Sequence, residues 1–214
     1  AFFDRDACLV AQQLLGKVIR RKTMGYWLSA RIIETEAYYL EEKGSHASLG
    51  YTEKRKALFM PAGTIYMYYA RGKDSLNVSC KGEGNAVLIK SAYPYIDDKI
   101  SSATTEIMQK LHPAASGDTR PIEKLCNGQT LLCRSLDLKV KEWDQLPFDE
   151  KNFYIDDINE TPEKIIQTTR LGIPAGRDEY LPYRYIDHSF TRFCTSNPLT
   201  KRNIDKNLNI LTPL

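Results

Sequence analysis

The sequence has no long apolar segment, and its first residues are not those expected of a signal peptide. No apolar run approaches the ~18 residues that a membrane-spanning helix needs, so we expect a soluble protein. The first residues, A-F-F-D-R-D, lack the basic start and apolar centre of a signal peptide. Internal repeats and low-complexity tracts are missing as well, and a hydrophobic content of 42% supports a folded core. Because no shift in composition marks a boundary, we expect one domain over residues 1–214.

Paired cysteines and clustered histidines are also missing. The five cysteines are odd in number and scattered, with no C-x-x-C pair; they are Cys8, Cys80, Cys126, Cys133 and Cys194. Three histidines that lie far apart offer no spacing for a zinc site, so we expect no structural metal. This pattern predicts reduced, buried thiols in a cytoplasmic protein.

The net charge is small. Thirty Lys and Arg against 27 Asp and Glu give +3 at pH 7, too small an excess to establish nucleic-acid binding by itself. Basic clusters lie at 20–22, 54–56 and 201–202. Each cluster alone fits a solvated surface as well as a binding surface.

The first part of the chain predicts a helix and then a hairpin. Apolar residues recur at helical spacing in A-C-L-V-A-Q-Q-L-L, after a cap at Asp4 or Asp6 and before a stop at Gly16. The runs K-V-I-R-R-K and Y-W-L-S-A-R-I-I-E-T-E-A-Y, separated by T-M-G, are typical of two paired strands. A polar loop over 40–57 follows, long enough to be a binding loop.

A second hairpin is predicted over T-I-Y-M-Y-Y and S-L-N-V-S-C. Its tip, A-R-G-K-D, carries Arg71 and Lys73 outward, and alternation places Tyr66 and Tyr68 on one face. The continuous apolar run A-V-L-I-K-S-A-Y then indicates a strand buried on both faces. Tyr66 and Tyr69 are expected to be core aromatics.

The second half predicts supporting elements. We expect a helix over 97–111 with a cap at its start, and short helices over 120–138 with Asn127 as a cap. Short strands are expected at N-F-Y-I, I-I-Q-T-T-R-L-G-I and P-Y-R-Y-I. The tail over about 196–214 is expected to be irregular.

Two glutamates lie within an apolar, β-prone run. Glu34, Glu36 and Tyr38 share one face of a strand because their spacing is two residues. Six tyrosines, a histidine and an asparagine follow within some forty residues. A carboxylate that faces aromatic walls suits the binding of a flat, electron-poor ring and water chemistry beside it.

The order of these motifs resembles a known family. I-E-T-E-A-Y, S-H-A, P-A-G-T-I-Y-M-Y, L-N-V, V-L-I-K-S-A, L-C-N-G-Q-T-L-L-C-R-S-L and R-L-G-I resemble the alkyladenine (3-methyladenine) DNA glycosylases, from about residue 9 to 185. The resemblance implies an α+β fold with a curved, mainly antiparallel β-sheet flanked by helices. It also implies that the enzyme uses no cofactor and acts on double-stranded DNA with damaged purines. Such enzymes flip alkylated or deaminated purines out of the duplex and hydrolyse the N-glycosidic bond. We expect a monomer, since duplex repair needs one pocket and no repeat or heptad is present, and the compact length suggests a bacterial protein at the nucleoid.

The resemblance implies roles for five residues. Glu36 would be the general base that activates water, and Tyr38, His46 and Tyr68 would form the walls around the ring. Asn77 would lie at the pocket floor and reject the guanine amino group. Three of these residues also have an alternative interpretation without a role in catalysis or binding. Glu36 would then be a surface carboxylate, His46 a polar loop residue, and Asn77 a hydrogen-bond partner of the backbone. Glu34 is expected to be a structural partner.

Two positions depart from the family, and both are expected to contact DNA together with Lys73. Arg71 stands where the family places an aromatic that fills the gap left by the flipped base; an arginine can fill a gap and bind phosphate. Lys90 stands where the family has an arginine, and it keeps the charge but loses the bidentate fork.

Three functions remain open at this point. The first is a monofunctional glycosylase, since no lysine adjoins Glu36 and the nearest, Lys43, lies in a glutamate-rich loop. The second is a non-catalytic nucleic-acid-binding module that retains the pocket. The third, a nucleoside hydrolase, fits the pocket but leaves the outward cations Arg71 and Lys73 without a role.

Overall fold

An antiparallel sheet organises the chain in the computed structural model, which describes residues 2–97, 103–200 and 208–213. Its strands are β1 Val18–Thr23, β2 Tyr26–Tyr38, β3 Ile65–Ala70, β4 Lys73–Ser79, β5 Ala86–Pro94, β6 Phe153–Asp156, β7 Ile165–Thr168, β8 Arg184–Asp187 and β9 Asn209–Leu211. The α-helices are α1 Ala7–Leu14, α2 Thr104–Leu111, α3 Gln129–Ser135 and α4 Val140–Trp143. Short 3-10 turns occur at Ala47–Leu49, Glu53–Phe59, Ile122–Lys124 and His188–Phe193.

The long strand β2 lies at the centre of the sheet. The strand order is β3-β4-β5-β2-β8-β7-β9, and β1 pairs with both β2 and β6. One edge of β2 is covered by β5, while β1 pairs with its first half and β8 with residues 34–36. The predicted α+β fold with a mainly antiparallel sheet flanked by helices is confirmed.

Helix α1 forms where the sequence predicts it. The Asp6 carboxylate accepts a hydrogen bond from the Leu9 amide at 3.1 Å, which caps the first turn. The buried face of the helix packs against β2 and β5. The chain leaves the helix at Gly16, where φ is +88° and a Cβ atom would stand 2.4 Å from the Glu160 carbonyl oxygen. Only glycine fits this turn.

Both predicted hairpins are confirmed, as is the burial of β5 on both faces. The long 40–57 loop differs from the expectation because it contains two 3-10 turns. Four of the cysteines are buried as predicted, but Cys8 is only half-buried. Among the described residues, the helices are too short and too polar to cross a membrane.

Three predictions in the second half need correction. Helix α2 begins at Thr104, and Asp97 binds Arg20 with Oδ2–Nη2 at 2.6 Å; residues 98–102 lie outside the described ranges. Helix α3 follows Gly128 rather than an Asn127 cap, and no side chain caps it. The tail is not wholly irregular, since β9 pairs with β7, although the basic cluster at 201–202 lies outside the described residues.

Candidate active site

A cavity of about 960 Å³ opens beside the end of β2 and the β3–β4 hairpin. Its volume is typical of a site for a small organic group. The segments 44–49, 127–131 and 171–174 supply much of the remaining wall. The sequence-predicted residues that line it are Tyr38, His46, Tyr68, Arg71, Lys73, Asn77 and Lys90.

The Glu36 carboxylate lies behind this lining and is fully buried. Oε2 accepts hydrogen bonds from the Tyr38 hydroxyl at 2.7 Å and from Lys90 Nζ at 3.3 Å. Oε1 accepts a third from the Leu171 amide at 3.1 Å. Three hydrogen-bond donors directed at one carboxyl group stabilise its ionised form.

The electrostatics of Glu36 agree with this geometry. Burial acts to raise its pKa, but the Lys90 charge and the bonds from Tyr38 and Leu171 outweigh it, so the pKa is lowered from its ordinary value. Burial and the adjacent carboxylate raise the pKa of Tyr38 well above its ordinary value. At neutral pH the pair is therefore a carboxylate and a protonated phenol.

Strand alternation explains why Glu36 points toward the cavity side. The intervening Thr35 points the opposite way, and its hydroxyl donates to the Ala11 carbonyl of α1 at 2.8 Å. Glu34 shares the face of Glu36 and is also buried. It accepts from Arg184 Nε at 2.7 Å and the Thr195 amide at 2.8 Å, the structural role expected of it.

Aromatic rings form one wall of the cavity. The His46 ring lies 4.4 Å from the Tyr68 ring, centroid to centroid, at 71°, and its Nδ1 lies 3.1 Å from the Tyr66 hydroxyl. Burial, and then the charges of Arg55 and Arg177, lower the pKa of His46, so the imidazole is neutral at pH 7. Tyr66 also lines the cavity, where the sequence predicted only a core role.

The position of Asn77 agrees with both interpretations of this residue, as a hydrogen-bond partner of the backbone and as part of the cavity wall. Its Nδ2 donates to the Tyr66 carbonyl at 3.2 Å, across the β3–β4 pair. The side chain nevertheless lines the cavity and is only 5% exposed. One amide hydrogen is thus used by the backbone, which fixes the orientation of the group.

The hairpin tip carries its cations at the cavity mouth. Arg71 and Gly72 form a two-residue turn with φ of +52° and +75°. Arg71 and Lys73 are exposed and line the cavity. Tyr69, expected in the core, is 51% exposed and lies outside the cavity lining.

The sequence prediction missed Arg170, which supports the site from behind. Its guanidinium carbon lies 4.5 Å from the centroid of the Tyr38 ring. Nη1 donates to Glu42 Oε1 at 2.6 Å and to the Ala37 carbonyl at 3.0 Å. Arg170 directly precedes Leu171, so it anchors both a ring of the wall and the amide that binds Glu36. The R-L-G-I motif was the available signal.

Lys90 corrects another expectation, that no lysine lies beside Glu36. The two are 54 positions apart in the chain, but neighbouring strands β5 and β2 bring them together. Lys90 is 8% exposed, so its ammonium lies inside the cavity wall instead of on an open surface. Lys43, the nearest lysine in sequence, is not in that lining, and its carbonyl accepts from Arg177 Nε at 2.8 Å.

The chain is similar to known proteins over most of its length. Residues 1–190 match the family described as methylpurine-DNA glycosylase. A protein of Pseudomonas aeruginosa (strain UCBPP-PA14) is 62% identical over 95% of this chain and 85% of its own length. One of Pseudomonas savastanoi pv. phaseolicola is 62% identical over 95% and 92%, and one of Clostridium beijerinckii is 33% identical over 86% and 92%. All three bear the name "Putative 3-methyladenine DNA glycosylase".

The match covers most of this chain and includes every residue of the site except Thr195. It distinguishes a DNA glycosylase from the binding module and the nucleoside hydrolase that the sequence left open. The chain therefore belongs to the methylpurine-DNA glycosylase family, whose members are hydrolases that act on the N-glycosidic bonds of alkylated purines in DNA.

Proposed function

We propose that this enzyme flips a damaged purine nucleotide out of duplex DNA and hydrolyses its N-glycosidic bond with water activated by Glu36. The observation that carries the proposal is the buried, ionised carboxylate of Glu36 directly behind a cavity walled by aromatic rings. A base inside a duplex cannot reach such a recessed site, so the nucleotide must be extruded. We propose that it acts as a monomer with a single glycosylase domain, since a duplex lesion needs one pocket and one chain supplies all the residues of that pocket.

The extruded base would lie between the rings of Tyr38, His46 and Tyr68. Aromatic faces attract flat rings, and an alkylated purine that carries positive charge is attracted further by their π-systems. The neutral state of His46 avoids repulsion with such a base. Asn77, fixed by its bond to the Tyr66 carbonyl, is proposed to exclude the guanine amino group from the floor.

Glu36 would take a proton from the attacking water and face the positive charge that develops on the sugar. Its carboxylate has three protein donors, and the longest contact is the 3.3 Å bond from Lys90. A water that replaces Lys90 on Oε2 would keep the other two bonds intact. Lys90, released from Glu36, would contact the extruded nucleotide.

The hairpin tip would contact the duplex around the gap. Arg71 is proposed to fill the space left by the extruded base, and Lys73 to bind a phosphate. Both side chains are exposed at the cavity mouth. The sequence predicted an enzyme without a lyase step because no lysine adjoins Glu36 along the chain. In the structure Lys90 lies next to Glu36, so that argument against a lyase step no longer holds.

Single-turnover release of 3-methyladenine or hypoxanthine from a duplex oligonucleotide tests the role of Glu36. We expect Glu36→Gln to slow release by roughly 10²–10⁴-fold, the usual contribution of a general base, with duplex binding retained. The exposed Glu83 provides a matched control, because Glu83→Gln should leave the rate unchanged. Near-normal release by Glu36→Gln would rule Glu36 out as the base.

A further inference from the structure

Lys90 places a primary amine inside the proposed reaction centre. Its Nζ lies 3.3 Å from Glu36 Oε2, and the residue both lines the cavity and is 8% exposed. An arginine at this position would supply a charge but no nucleophile, because its guanidinium stays protonated. A lysine amine can attack a carbonyl carbon and form a Schiff base.

We propose that Lys90 gives this enzyme a second activity, an abasic-site lyase that acts through a Schiff base to the deoxyribose left after base release. The inference rests on the proposed function, since it takes C1′ of the extruded nucleotide to lie beside Glu36. The abasic sugar has an aldehyde at C1′ in its ring-opened form. The reaction that removes the base therefore creates the carbonyl that the amine attacks.

Each step conserves atoms and charge. The Lys90 ammonium first loses a proton, and Glu36 is the adjacent carboxylate that accepts it. The free amine adds to the C1′ aldehyde, and loss of water gives the imine. Glu36 gives its proton to the hydroxyl that leaves as water, and the carboxylate so regenerated accepts the C2′ proton. A C2′–C3′ double bond then forms as the bond from C3′ to the phosphate oxygen breaks, and the phosphate leaves with that electron pair. Water finally hydrolyses the imine and regenerates Lys90, with no oxidant or reductant involved.

The surroundings favour Lys90 over other amines. Among the described residues that line the cavity, the other lysine is Lys73, which is exposed on the hairpin tip and not beside Glu36. Lys90 needs only to exchange its contact with Glu36 for one with C1′. Burial in the wall removes much of the freedom that a surface lysine would lose on reacting.

Borohydride trapping on a duplex with a preformed abasic site tests the proposal. We expect the wild-type protein to give a covalent protein–DNA adduct and to cleave the strand at the abasic site when borohydride is omitted. Lys90→Arg keeps the charge and should reduce both by at least tenfold. Lys151 is exposed and is not among the residues that line the cavity, so Lys151→Arg should behave as wild type. Peptide mapping of the wild-type adduct should locate the DNA on Lys90.

Three results would overturn the lyase: no wild-type adduct, no wild-type strand cleavage, or an adduct mapped to another residue. Mapping needs no variant, so a Lys90→Arg protein that failed to fold would not prevent the decision. Base release is measured separately on a damaged duplex. Release without trapping overturns only the lyase, whereas trapping without release supports the lyase and contradicts the proposed glycosylase mechanism.

Discussion

At the scale of the residue, Glu36 shows what the sequence can and cannot predict. Strand alternation was enough to place Glu36 and Tyr38 on one face, and the Tyr38 hydroxyl does reach Oε2 at 2.7 Å. The other two donors, Lys90 and Leu171, lie 54 and 135 positions away. No local sequence pattern encodes contacts between residues so far apart in the chain, because such contacts depend on which strands become neighbours.

The pH dependence of base release should report the hydrogen bond from Tyr38 to Glu36. A general base works only when deprotonated, so if Glu36 has the proposed role, we expect its lowered pKa to keep the enzyme active to a lower pH than an ordinary glutamate would allow. Tyr38→Phe removes one of the donors that lower the pKa. We expect the acid limb of the single-turnover rate to move to higher pH.

Tyr154 supplies the matched control for that experiment, since it packs on Trp27 away from the cavity. Tyr154→Phe should leave the acid limb in place. If Tyr38→Phe lowered the rate equally at every pH, the hydroxyl would have no influence on the ionisation of Glu36.

At the scale of the element, strong periodicity was predictive and short irregular segments were not. The β3–β4 hairpin follows from alternating residues on either side of a turn. Strand β9 has three residues, two of them exposed, and exists because β7 offers a free edge. A segment of three residues is too short to show the alternating pattern of a strand, so only its pairing with β7 identifies it as one.

The tip of the β3–β4 hairpin should contribute to the binding of a duplex that contains an abasic site. We expect Arg71→Ala to weaken binding to abasic duplex about tenfold, the equivalent of ~1.4 kcal/mol, because it removes a cation and the side chain that we propose fills the gap. Arg71→Tyr restores the aromatic of the family and should bind more tightly than Arg71→Ala. Equilibrium fluorescence titration measures both, and unchanged affinity in Arg71→Ala would exclude a role for this side chain in the gap.

At the scale of the whole molecule, the fold class was predictable from the motifs, but the distribution of cations around the cavity was not. A net charge of +3 says little about partners. The structure places three exposed cations in the cavity lining, Arg71, Lys73 and Arg177. Arg177 had no sequence signal, since it belongs to an unremarkable loop between β7 and β8.

The salt dependence of duplex binding should show how many of these cations contact phosphates. If each neutralises one phosphate, the slope of log K against log salt should be about −3, since each phosphate contact contributes about −0.9. Arg177→Ala should make the slope shallower by about one unit, and Lys151→Ala should not change it. A slope near zero for the wild-type protein would mean that these cations do not bind phosphates.

The hydrogen-bond partners of the β2 carboxylates also lie far from them in the order of synthesis. Glu36 receives an amide from Leu171, and its neighbour Glu34 receives one from Thr195, 161 positions further along the chain. Synthesis proceeds from the N-terminus, so the residues of the aromatic hairpin are made well before those whose amides bind the two carboxylates. A nascent chain that stops just short of Thr195 therefore contains every aromatic residue of the cavity wall but lacks an amide that binds the buried Glu34 carboxylate.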